Sequence, residues 1–176
     1  ELIDAIDGSR RYTPAIKISL STKEDLQPTW PIRGTNQSVG LDLYTAHREV
    51  LCPYGRPRFI DTGIIVKPSI GYHVEVFLRS SMAKQHIILC NHVGIIDPDY
   101  CGPNDTIKLA LRYLPPIYNT CEHGTVLHFS DSEPLTINTG TKIAQLVVRK
   151  TIEPIYEMIQ EPSKEINRGG FGSTGE

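Results

Sequence analysis

The residues best suited to chemistry lie within 91–105, NHVGIIDPDYCGPND, where Asp97 and Asp99 flank Pro98 and Tyr100 follows directly. A carboxylate held at the end of a strand can accept a proton from water as a general base. Asn91, six residues before Asp97, offers a donor and an acceptor on one side chain, and Tyr100 offers a flat ring with a hydroxyl. Asp, Pro and Gly are also the ordinary formers of turns, so a lone DPD carries little by itself. Its neighbours raise the functional reading: a strand edge together with Asn91 can read a base-like ring while Asp97 activates water.

A second group follows the run YHVEVFL. Arg79, Ser80 and Ser81 place a guanidinium beside two hydroxyls where a short helix is expected to begin. Either serine serves as an N-cap, and the same arrangement of N–H groups, hydroxyls and a positive fork suits phosphate. Asp42 interrupts the alternating run VGLDLYTA and needs a partner or a metal-bound water, because an unpaired buried charge is costly. Gln145 stands among the aliphatics of GTKIAQLVV and must find hydrogen bonds from backbone or ligand. The closing NRGGFGSTGE combines glycines with Arg168 and Phe171, which suits a flexible lid ordering over a nucleotide. It is not a GxxxxGK[ST] phosphate loop, which the chain lacks.

The elements that must position these groups read as strands. IKISL at 16–20, VGLDLYTA, RFIDTGIIVKP, YHVEVFLRSSMA, HIIL, TIKLALRYL and GTKIAQLVV are short runs rich in β-branched residues, broken by Gly and Pro. HIIL and TIKLALRYL flank the acidic loop as the arms of a hairpin. No stretch from 16 to 160 sustains a helical period for long, which implies an all-β sandwich or barrel. Residues 1–15 form a polar N-terminal extension, and residues 115–136 an excursion from the sheet that includes a short strand at VLHF. Trp30, the only tryptophan, is expected as a core or interface plug.

Composition narrows the class. The 176 residues suit one domain, and 18 basic against 20 acidic residues, net −2, give no field to gather long nucleic acid. Cys52, Cys90, Cys101 and Cys121 form no CxxC pair and are expected as buried free thiols; His123 and His128 lack a third metal ligand. The first residues carry no signal-peptide pattern and no apolar run is long enough to cross a bilayer, so an intracellular, soluble protein is expected.

Taken together, VGLDLYTA, LRSSMAKQ, NHVGIIDPDYCG, GTKIAQLVV and RGGFGSTG resemble, in order and character, the five motifs of the homotrimeric dUTPase family. The resemblance covers roughly residues 16–114 and 137–175. It implies a distorted jelly-roll β-barrel with a flexible glycine-rich C-terminal arm (167–176), trimers with shared active sites, and hydrolysis of dUTP to dUMP and pyrophosphate with Mg2+. It implies that Asp97 deprotonates the attacking water, that Asn91 and the backbone of Gly94, Ile95 and Ile96 pair with uracil, and that Tyr100 packs under deoxyribose. Arg79, Ser80, Ser81 and Gln145 would then hold phosphates, and Asp42 would support the metal through water. Phe171 would stack on uracil while Arg168, Gly172, Ser173 and Thr174 close over the β- and γ-phosphates.

The chain departs from the usual pattern in places. Thr141 and Lys142 stand where Asp and Arg are common, Ser81 where Gly is usual, and Arg168 lies nearer Phe171 than in many members. CGPND is longer than the usual turn, and compact members have no excursion like 115–136. Two rival readings follow. A dCTP deaminase would need a glutamate where this chain has Ala110 and would lack the FGSTG arm. A nucleotide-binding regulator of the same fold would engage a protein partner through 115–136.

Overall fold

The computed structural model describes residues 17–20, 28–116 and 132–158. Its strands are β1 (Lys17–Leu20), β2 (Ile32–Arg33), β3 (Leu41–Tyr44), β4 (Glu49–Leu51), β5 (Arg58–Asp61), β6 (Ile64–Lys67) and β7 (Tyr72–Leu78). After β7 come the single helical turn α1 (Ser80–Ala83), then β8 (Ile87–Leu89), β9 (Gly94–Ile96), β10 (Lys108–Tyr113), β11 (Leu135–Ile137) and β12 (Lys142–Lys150). The all-β expectation holds, and the architecture is of the jelly-roll type.

Apart from β2 and β3, neighbours in the sheets are not consecutive in sequence. The largest sheet has the order β2-β3-β12-β7-β9, a second has β5-β10-β8, and the pairs β1-β6 and β11-β4 complete the set. β12 is central because its backbone pairs antiparallel with β3 along one edge and with β7 along the other. One face of the large sheet joins the core through Leu43, Val74, Val76 and Leu146, packed with Ile60 and Leu109 of the second sheet. Each such buried aliphatic contributes about 1.5–3 kcal/mol relative to exposure.

The run at 58–68 is two strands, not one. Thr62 and Gly63 break it so that β5 pairs with β10 while β6 pairs with β1. Asp61 fixes the corner: its Oδ1 accepts from the Gly63 N–H at 2.8 Å and its Oδ2 from the Thr106 hydroxyl at 2.8 Å. Gly63 has φ +67°, and a Cβ there would meet Pro28 Cβ at 2.9 Å.

The acidic loop is likewise more than a hairpin tip. Its arms do pair, Leu111 with Leu89, but β9 within the loop leaves that sheet and joins the large one beside β7. Trp30 is 51% exposed, so it is no core plug in the chain by itself. Cys52, Cys90 and Cys101 are free, but Cys52 is exposed and the other two are half-buried, because each lies in or beside a loop and not on a core-facing strand position. The proposed strand at VLHF, Cys121, His123 and His128 lie outside the described residues. No helix among the described residues is long and apolar enough to cross a membrane.

Candidate functional site

Side chains alternate across a strand, so the register decides which residues share the face of the large sheet turned away from the core. Asp42 pairs with Gln145 and Gln145 with Phe77, giving one row across β3, β12 and β7. Arg79, two residues beyond Phe77, faces the same way, and its N–H donates to the Ile143 carbonyl at 3.0 Å. Lys142 pairs with Tyr44, two residues from Asp42, across a bulge between Lys142 and Ala144. That extra residue turns Lys142 and Gln145, three apart, onto one side. The sheet thus gathers Asp42, Arg79, Lys142 and Gln145 at one end.

Asp42 is 8% exposed, and its carboxylate is compensated twice. Lys142 Nζ stands 3.1 Å and Arg79 Nη1 3.5 Å from the same oxygen, Oδ2. Two cations against one carboxylate leave a local excess of positive charge, which suits an anionic ligand. Gln145 lies against Gly40, where a Cβ would meet Gln145 Oε1 at 2.9 Å and the Leu146 carbonyl at 3.1 Å. Only glycine lets the chain pass that close to the glutamine.

Ser80 and Ser81 are exposed and open α1, but neither caps it. The N-cap is Arg79, in extended conformation and with no side-chain cap hydrogen bond. Their hydroxyls are therefore not committed to capping, which corrects the N-cap reading.

The other group runs along β9, beside β7, and only its Asp97 end lies at the far end of β7 from Arg79. β9 is the edge of the large sheet, paired with β7 through Ile96 and Val74. Asp97 follows Ile96 on the side of His73, and the two line an open cleft of about 490 Å³ with Ile70, Ile95, Thr151 and Glu153. Asp97 is exposed. Ile96 is buried, so only its backbone is available to a ligand, whereas Ile95 is 64% exposed.

Around this edge the loop is held by local bonds. His92 adopts φ +59°, and its N–H donates to the Leu89 carbonyl at 3.0 Å, turning the chain directly after Asn91. The Asn91 amide donates to the Val93 carbonyl at 3.3 Å, which fixes that side chain beside Gly94. Tyr100 is 39% exposed, with its hydroxyl donating to the Thr106 carbonyl at 3.4 Å. Asp105 Oδ2 accepts from the Gly102 N–H at 2.7 Å and closes the long turn.

The sequence-predicted residues therefore fall into two groups. Asn91, Gly94, Ile95, Ile96, Asp97 and Tyr100 lie along or beside β9, with Gly94 across from Val76 and Asp97 at the His73 end; Asp42, Arg79, Ser80, Ser81 and Gln145 are together at the end of β7 opposite Asp97. Six residues from 73 to 79 span on the order of 20 Å in a strand. Arg168, Phe171, Gly172, Ser173 and Thr174 lie outside the described residues. Sequence reasoning did not place Lys142 or Gly40 in the site, because the bulge and the close approach of β3 to β12 have no local signature.

A metal resident on protein ligands alone lacks a ligand set, since no three His, Cys, Asp or Glu side chains converge among the described residues. A cation carried by polyphosphate, with Asp42 as one outer carboxylate, fits the donors present.

The chain is similar to proteins of one known family. The family model described as dUTPase matches residues 27–111. A deoxyuridine 5'-triphosphate nucleotidohydrolase of Wolbachia pipientis wMel is 33% identical over 162 residues, covering 89% of this chain and 92% of that protein. One from Finegoldia magna is 34% identical, covering 82% and 90%. Among solved structures, the dUTPase of Staphylococcus bacteriophage 80alpha with dUPNHPP superposes with a TM-score of 0.69 at 22% identity, covering 93% and 99% of the two chains.

Proposed function

Because the chain belongs to the dUTPase family and hydrolyses dUTP to dUMP and pyrophosphate, we propose that its active site is assembled between copies of the chain. The observation that carries this reading is the separation of Asp97 from Arg79 along β7. A general base at the α-phosphorus and a phosphate-binding guanidinium must act on one triphosphate, and a triphosphate is far shorter than that span. A trimer in which the β9 edge of one copy meets Asp42, Arg79 and Gln145 of the next satisfies both.

In that site Asp97 orients and deprotonates the water that attacks the α-phosphorus. Exposed and at the mouth of a cleft, it is accessible to substrate and solvent. The unpaired edge of β9 and the Asn91 amide read the base. Uracil presents a donor between two acceptors, and cytosine inverts part of that pattern, leaving polar groups unmatched at a cost of about 10⁴ in specificity. Tyr100 packs under the deoxyribose and excludes a 2′-hydroxyl.

Arg79, Ser80, Ser81 and Gln145 hold the phosphates, where positioned positive charge and donors stabilise the transition state without a covalent nucleophile. Asp42 would support Mg2+ through water, and the ion would supply charge neutralisation at the phosphates. The resemblance of RGGFGSTG would give Phe171 to uracil and Arg168, Gly172, Ser173 and Thr174 to the β- and γ-phosphates.

The test is pyrophosphate release from dUTP, dCTP, dTTP and UTP with Mg2+ by the native protein and Asp97→Asn. Release from dUTP alone, reduced at least about 10³-fold by the substitution with nucleotide binding kept, is the expected result. Undiminished turnover by D97N would remove Asp97 as the base.

A further inference from the structure

Asp42 Oδ2 faces two cations that hold it unequally. Lys142 Nζ is the nearer at 3.1 Å, and it also lies 5.8 Å from the centre of the Tyr44 ring, within reach of a cation–π attraction. Arg79 approaches through one nitrogen at 3.5 Å, not through the paired N–H groups of a fork, and its side chain stays 32% exposed. We propose that Lys142 is a positioning residue for the polyphosphate: by neutralising the buried Asp42 carboxylate, it leaves the Arg79 guanidinium available to substrate. This rests on the reading of Arg79 as a phosphate ligand.

The argument is one of competition. A buried carboxylate demands a counter-charge, and one left unpaired is strongly destabilising. Without Lys142, Arg79 is the one cation left beside Asp42 among the described residues, and its planar fork matches a carboxylate through two parallel bonds. Arg79 would settle into that pair, and phosphate would have to break it. With Lys142 present, Arg79 can move from carboxylate to phosphate while Asp42 stays compensated. The bulge between Lys142 and Ala144 is what turns the ammonium onto this face. A lysine suits the role because its ammonium is a point charge that needs no second geometry.

The test measures binding of the non-hydrolysable α,β-imido analogue of dUTP by the full-length assembled protein in EDTA, so that neither turnover nor metal enters. K142M is expected to weaken binding about tenfold or more, while K142R, which keeps a cation on Asp42, stays within about threefold of the native protein. In a D42N background, where Arg79 has no carboxylate to fall onto, the K142M effect should shrink below about threefold. K142Q replaces K142M if the latter does not fold.

Unchanged binding by the neutral variant overturns the proposal. So does an equal loss in both backgrounds, which would mean that Lys142 acts on phosphate directly or by charge alone. R79A separates the two levels of argument. If R79A binds normally, the phosphate role of Arg79 fails and the inference with it; if R79A is weak while the double-variant cycle is flat, only the inference fails.

Discussion

Asp97 and Arg79 project from one face of the same five-stranded sheet, yet they stand at opposite ends of β7, on the order of 20 Å apart. On the shared-site reading proposed above, each residue meets its counterpart on another copy of the chain. D97N and R79A should each be nearly inactive as pure proteins. Co-refolded at equal amounts, they should recover activity, since about a quarter of inter-chain sites then combine an intact Asp97 with an intact Arg79. Steady-state pyrophosphate release from the mixture decides it, and no recovery would place both residues in a single-chain site.

Asn91 is fixed by its bond to the Val93 carbonyl at the entry to β9. Asn91→Ala should lower kcat/KM for dUTP about tenfold or more and narrow the gap to dCTP, because an unmatched base edge loses a hydrogen bond. Competition assays with both nucleotides check it. A uniform loss on both substrates would assign Asn91 to loop structure and not to base reading.

Gly40 has no room for a methyl group. Gly40→Ala sets a Cβ 3.1 Å from the Leu146 carbonyl and 3.2 Å from Gln145 Cβ, and neither neighbour is a flexible chain end. A cost of about 1–3 kcal/mol is expected, with KM raised through displacement of Gln145. Thermal melts and KM values report the two effects separately.

Glu49 offers a pH test away from the site. Burial pushes its carboxyl up, but the Arg58 guanidinium at 3.1 Å and the His47 ring at 2.9 Å outweigh that and hold it below the usual carboxylate range. A depressed folded pKa contributes stability above the unfolded value, about 4.3, that is lost as pH falls through the folded value. Glu49→Gln should therefore lower Tm at neutral pH by the equivalent of about 0.2–1 kcal/mol and make no difference at the acid end. An equal deficit at pH 3 and pH 7 would contradict the ion-pair account.

The sequence by itself marked the longer strands and the chemistry-bearing segments, while the short strands β2, β4, β9 and β11 carry too few residues to show a period. Local alternation marks β3, β7 and β10, an aliphatic run marks β12, and Asp97, Arg79 and Gln145 stand in short motifs whose residue types are informative without partners. What tertiary structure decided was non-local. β9 leaves the hairpin for another sheet because hydrogen bonding to β7 completes that sheet's edge, and 58–68 divides because Asp61, Thr106 and the positive φ of Gly63 turn the chain. Lys142 reaches Asp42 because a bulge shifts the register by one residue, and a shift of one residue exchanges the faces of a strand. The pairing of β7 with both β12 and β9 then set Asp97 and Arg79 beside opposite ends of one strand, a relation between segments that no single segment encodes.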